Sequence, residues 1–171
     1  MKTFTIKTAW NQYGQLMGNV LGHDRESLEQ DHAQYQIVQP AASVKDYMWG
    51  LFNRMLLESA GDFHTQSMLY HCMAVFRGIY EGKSGKQYNQ LSHQASLDKI
   101  RIDNESSRLV IELKVSPDPD CPHAKSMENK RFPIETDLVS MLANESCHRD
   151  FCRCNILGLA KRDEDGNLLK K

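Results

Sequence analysis

Apolar positions recur in two rhythms along the chain. Phe4, Ile6 and Thr8 alternate with Thr5 and Lys7, which predicts a short strand. Trp10, Tyr13, Leu16, Met17, Val20 and Leu21 then follow three and four apart, the stripe of a helix that Gly22 would stop. Residues 23–34 are polar and acidic and read as a solvated helix end or loop, and Tyr35–Gln39 as a second short strand closed by Pro40. Ser43 suits an N-cap, with Asp46 at the capping-box position, and Val44, Met48, Leu51, Phe52, Met55 and Leu56 continue at helical spacing. Gly61 ends that helix and Asp62 can cap the next, whose stripe is Met68, Leu69, Cys72, Val75, Phe76 and Ile79. So short a connection predicts an antiparallel helical hairpin.

The second half is more polar. Gly82 to Ser96 reads as a flexible segment; Leu97, Ile100 and Ile102 then face Leu109, Ile111, Leu113 and Val115 across Asn104–Ser107, which predicts a β-hairpin with one apolar face. Pro117 and Pro119 end it. Pro133 suits a first helical position, with Ile134, Leu138, Met141 and Leu142 as the stripe of a helix over 133–145. The predicted fold class is α+β, a small mixed sheet with a helical hairpin and a metal-stapled C-terminal subdomain. Its divisions are an α+β body over 1–116, a Cys/His metal-binding subdomain over 117–160 and a flexible charged tail over 161–171.

Cysteine placement is what turns this outline towards chemistry. Four of the five cysteines lie between Cys121 and Cys154, in C-P-H and C-H-R-D-F-C-R-C. No run approaches the ~18 apolar residues of a membrane span and the N-terminus lacks a signal-peptide core, so the expected location is a cytoplasm. In a reducing compartment such clusters are metal ligands or catalytic groups more often than disulfides. Zinc takes thiolates and imidazoles from two places in the chain, and the candidates are Cys121, His123, Cys147, Cys152 and Cys154. His148 is a weaker candidate, because adjacent side chains seldom reach one metal. Spacing alone leaves alternatives open: an iron–sulfur cluster, although C-x4-C-x-C is one residue short of the plant-type pattern, or thiols around a small core. A thiol enzyme using Cys147 beside His148, or Cys121 near His123, would need geometry that adjacency does not supply. Cys72, on an apolar stripe, reads as a core residue.

The net charge of −1 and the pI of about 6.6 exclude a strongly basic nucleic-acid binder, but charge is uneven. Residues 1–76 hold 5 Lys/Arg against 7 Asp/Glu, and 77–171 hold 16 against 15. Arg77, Lys83, Lys86, Lys99 and Arg101 are interleaved with Tyr80, Tyr88 and His93, the mixture of cations and aromatic platforms that holds single-stranded nucleic acid. The plain alternative is a solvated Gly/Ser/Lys linker. Gly78–Ser84 only superficially resembles a P-loop, with Arg77 where the first glycine belongs and a helix, not a strand, before it. His23–Asp24 reads as surface.

The order strand, helix, strand, then Ser43-Val44-Lys45-Asp46-Tyr47-Met48-Trp49 resembles the phage NinB/Orf family of recombination mediators. Lys125-Ser126, Arg131-Phe132-Pro133-Ile134-Glu135 and Leu138-Val139 are similar to the segment near that family's end. The resemblance implies single-stranded DNA binding and recombinase loading. The expected function is therefore a non-enzymatic zinc-binding accessory protein of a phage or mobile element that binds nucleic acid or a nucleoprotein complex. A protein–protein adaptor or inhibitor with a structural zinc, or a thiol enzyme, are the other readings.

Overall fold

The hydroxyl of Thr5 accepts the backbone N–H of Thr8 at 3.1 Å and so starts helix α1, Ile6–Leu21. The strand expected over Phe4–Thr8 is instead this cap and first turn: three alternating residues cannot separate the two periods, and the side-chain cap decides. Gly22 ends α1 at φ 68°, a left-handed conformation that favours glycine. A computed structural model describes residues 3–143 and 153–171. They form seven helices, a π-helical turn and a three-stranded sheet, an α+β fold. Among them no helix is long and apolar enough to cross a membrane. The chain divides into two compact units, Met1–Asp62 with Ile79–Gly82, and Phe63–Gly78 with Lys83–Lys171.

In the first unit, helix α2 (Arg25–Val38) occupies both the expected loop over 23–34 and the expected strand Tyr35–Gln39. Asp24 and Ser27 exchange capping hydrogen bonds at 2.8 Å each, and Arg25 pairs with Glu29 one turn on at 2.8 Å. Leu28 is its one buried residue, so no apolar stripe marks the helix in sequence. Helix α3 (Val44–Glu58) carries the expected Ser43–Asp46 capping box and buries Tyr47, Met48, Leu51, Phe52 and Met55. α1 packs on α2 and α3, with Tyr13 edge-on to Phe52 at 5.3 Å between ring centres. Tyr80 completes this core against Phe4, ring centres 4.6 Å apart, and its hydroxyl accepts from Gln12 Nε2 at 2.6 Å.

In the second unit, helix α4 (Phe63–Phe76) lies along helix α5 (Lys86–Ser106). Helix α5 replaces both the expected flexible segment and the first strand of the expected hairpin. The reason is visible in its spacing: Leu97 and Ile100 are three apart, whereas Ile102, which alternation placed on the same face, is 48% exposed. Pairs at i and i+4, Gln94–Asp98 at 2.8 Å and Lys99–Asp103 at 2.5 Å, support its polar faces.

Strand β1 (Ile111–Ser116) is central in a sheet ordered β2-β1-β3, with β2 at Phe132–Pro133 and β3 at Asn155–Ala160. Both pairings are antiparallel, not mixed as expected. Helix α6 spans Pro122–Lys125 and α7 spans Leu138–Leu142. Pro133, expected to open a helix, instead sits on the short edge strand opposite Glu112, where a missing N–H is tolerated. The helix begins later, at an Asp137 cap whose carboxylate accepts from Ser140 N–H at 3.0 Å. Leu97, Leu113, Val115, Met127, Leu138 and Ile156 form the core of this unit. Gly158 lets α5 approach β3, since a Cβ there would stand 2.8 Å from Ile100 Cγ2. The tail beyond Lys161, expected to be loosely held, turns at Gly166 and runs back beside residues 108–110. Val110 N–H donates to the Leu169 carbonyl and Lys171 N–H to the Arg108 carbonyl, each at 3.0 Å.

Candidate functional site

The π-helical turn Arg77–Glu81 follows α4 directly and makes the Gly78–Ser84 stretch a helix end, with none of the geometry of a phosphate loop. The chain then reverses through Gly82 (φ 64°) and enters α5 at Gly85, which caps without a side-chain hydrogen bond. This reversal brings the Arg77 guanidinium carbon to 5.8 Å from the centre of the Tyr88 ring, a cation–π distance. Lys83 and Lys86 flank the pair and are exposed. Arg77, Lys83, Lys86 and Tyr88 therefore share the start of α5.

Lys99 and Arg101 lie three to four turns further along and are engaged elsewhere. Lys99 pairs with Asp103 at 2.5 Å. The Arg101 guanidinium donates to the carbonyls of Ile134, Glu135 and Thr136 at 3.3–3.5 Å, tying α5 to the chain entering α7.

Of the proposed metal ligands, Cys147 and Cys152 lie outside the described residues, as does His148. Cys121 and Cys154 are both buried in the core of the second unit. The Cys121 sulfur accepts the Ala124 N–H at 3.4 Å as the cap of α6, and the Cys154 sulfur accepts the Asp118 N–H at 3.3 Å. His123 contacts the Met141 carbonyl through Nε2 at 2.6 Å. In that bond Nε2–H is the donor and the carbonyl oxygen the acceptor. Among the described residues, no three His, Cys, Asp or Glu side chains are gathered closely enough to hold a metal.

A pocket of about 530 Å³ lies in the second unit, lined by Ser67, Met68, His71 and Cys72 of α4, Asn89, Ser92 and His93 of α5, and Arg153, Cys154 and Asn155. Its only sequence signal is the run of polar residues Asn89, Ser92, His93 and Ser96 at helical spacing. The hydroxyls of Ser67 and Ser96 are 2.7 Å apart, and Ser92 donates to the Ser67 carbonyl at 2.9 Å. His93 is buried, and its Nε2–H donates to the Cys154 carbonyl at 2.9 Å. Burial depresses its basicity, only partly countered by that hydrogen bond. Burial likewise lowers the pKa of His71, with His93 and Arg153 adding to the effect. Burial pushes the Cys72 thiol up to about 11, which makes it a poor nucleophile at neutral pH.

In the first unit, the residues beside His23–Asp24 are a structural network. Asp24 caps α2, and Asp31 accepts from Tyr47 and from Arg54 at 2.7 Å each. Burial would raise the Asp31 pKa, but the hydrogen bonds from Arg54 and Tyr47 outweigh it and hold the carboxylate below its usual range. Comparisons with known protein families, curated proteins and solved structures return no match to this chain.

Proposed function

We propose that the chain is a non-enzymatic accessory protein that binds single-stranded nucleic acid, free or within a nucleoprotein complex, at the start of α5. The observation that carries this reading is the gathering of Arg77, Lys83, Lys86 and Tyr88 around one helix entry. Two exposed ammonium groups suit adjacent phosphates, and a guanidinium–phenol pair offers flat surfaces on which bases stack. The start of α5 adds the positive end of a long helix dipole. The likeness of Ser43–Trp49 to the NinB/Orf mediators is in keeping with a role in phage or mobile-element DNA transactions.

Binding of a mixed-sequence single strand should weaken steeply as salt rises. Each neutralised phosphate contributes a slope of about 0.7 in log affinity against log salt, so Lys83→Ala with Lys86→Ala should flatten it by about 1.4. Fluorescence anisotropy across a salt series measures this directly. Affinity indifferent to salt, or an unchanged slope in the double variant, would remove the reading.

A structural zinc ion drawing on Cys121 and Cys154 belongs to the same proposal. Two buried sulfurs, each accepting a backbone N–H, match the way thiolates are supported around a metal. Elemental analysis of purified protein should find stoichiometric zinc; protein prepared with zinc present yet containing none would eliminate the ion.

A further inference from the structure

A groove of about 370 Å³ lies between α2 and α3, within the first unit. Tyr35 and Val38 of α2 and Tyr47, Gly50 and Leu51 of α3 form its walls, with the Asp31–Arg54 pair at one end. Gly50 is the position there that the fold does not explain. It is exposed in the middle of α3, where glycine carries a backbone-entropy cost that alanine would not. Gly158 sits against Ile100 and Gly22 makes a left-handed turn, but a Cβ at Gly50 would meet nothing within 4 Å. The missing side chain leaves room for something outside the chain to lie close against α3.

What surrounds Gly50 is arranged symmetrically about it. Asp46 stands four residues before it and Arg54 four residues after, on one ridge of the helix surface and about 6 Å to either side. A second α3 crossing antiparallel at Gly50 sets Asp46 of each copy against Arg54 of the other, with no like charges opposed along that ridge. Asp46 is exposed, and its carboxylate bonds Ser43 in its own helix cap. Arg54 already pairs with Asp31 at 2.7 Å, so Asp46 of the second copy joins an ion cluster and does not meet a bare charge. The apolar residues follow the same symmetry. Leu57, 77% exposed, lies seven residues beyond Gly50 on the same side of α3. Ser43 lies seven residues before Gly50, and the short turn over 39–43 ties Ile37 and Val38, 71% and 74% exposed, to that end. The same two-fold brings Leu57 of each copy beside Ile37 and Val38 of the other.

We infer that this face binds a second copy of the same chain, α3 crossing α3 at Gly50 in a symmetric dimer. Each surface feature is then used twice, as in any two-fold contact, where residue i meets residue j and j meets i. Aromatic and aliphatic walls with charge confined to matched pairs are the make-up of an interface core. The contact lies wholly in the first unit and stands apart from the nucleic-acid reading above.

The test is sedimentation velocity of the full chain over a concentration series, with a reductant present so that no disulfide-linked species forms. The mass should move from 19.6 kDa towards twice that value, with a midpoint at about 10 μM or below. Gly50→Gln places a better helix former on an open surface, so it should keep or raise the thermal midpoint of the fold. It should nonetheless weaken the dimer about tenfold or more by blocking the crossing. Leu57→Glu, also at an exposed position, should weaken the dimer to a similar degree and leave the helix content unchanged by circular dichroism. A dimer broken by both substitutions with the fold retained supports the inference. A chain that stays at the monomer mass up to about 200 μM overturns it, and the groove then belongs to a different protein or to a small molecule. A dimer that neither substitution weakens overturns it as well, since the contact is then elsewhere. Failure of both variants to fold would contradict the open surface at Gly50 and Leu57, and with it the inference.

Discussion

Leu97→Ala is expected to remove about 2–5 kcal/mol of stability from the second unit, the range for emptying a leucine site in a packed core. Leu97 is 1% exposed and lies in one cluster with Leu113, Val115 and Ile156 of the sheet and Leu138 of α7. The loss belongs in the upper part of that range, because sheet residues fixed by ladder hydrogen bonds cannot easily close a void. Urea denaturation followed by circular dichroism should show a lower midpoint with an unchanged slope. A change within about 0.5 kcal/mol, typical of surface sites, would mean that α5 is not packed on the sheet as described.

The second large effect is on pH. His93 is buried, and burial holds its pKa below the ordinary value of 6.5. The unfolded chain therefore takes up a proton that the folded chain refuses. The stability from keeping this ring neutral is fully present above pH 6.5, and it is lost as pH falls from there through the folded-state pKa. One such proton costs at most about 1.4 kcal/mol per pH unit. His71 and His32 are depressed in the same direction by burial, and add smaller, solvent-screened losses over the same window. Urea midpoints should fall between about pH 6.5 and 5, and His93→Gln should flatten that decline. A midpoint that holds steady or rises on acidification over that window would contradict a neutral, buried His93.

Local signals in the sequence proved reliable where a single side chain sets the backbone. Ser43 with Asp46, and Gly22 after Leu21, mark helix ends because the cap and the left-handed turn are chemical requirements of those residues. The strand at Ile111–Val115 was equally visible from its alternation. Its partner was not. Leu97–Ile102 is nearer in sequence, but the true partner, Asn155–Ala160, lies beyond the cysteine-rich region, and alternation alone carries no information about which distant strand pairs.

Helices α2 and α5 were hidden for a different reason. Both are rich in polar residues and bury narrow faces, and they depend on capping, i,i+4 pairs and neighbouring helices in place of an apolar stripe. The candidate interface was legible as a set of cations and aromatics but not as a place. Only the fold separates Arg77, Lys83, Lys86 and Tyr88 from Lys99, which pairs with Asp103, and Arg101, which binds backbone carbonyls near α7. The pocket showed only as polar residues at helical spacing, Asn89, Ser92, His93 and Ser96, a pattern that reads equally as a solvated face.

The absence of a side chain at Gly158 reaches further than local packing. Ile100 rests directly on strand β3 there, and an added carbon would force either the Ile100 side chain to turn or α5 to shift. Lys86 and Tyr88 stand on the same helix, so a shift of α5 seated at Gly158 would carry the start of that helix with it.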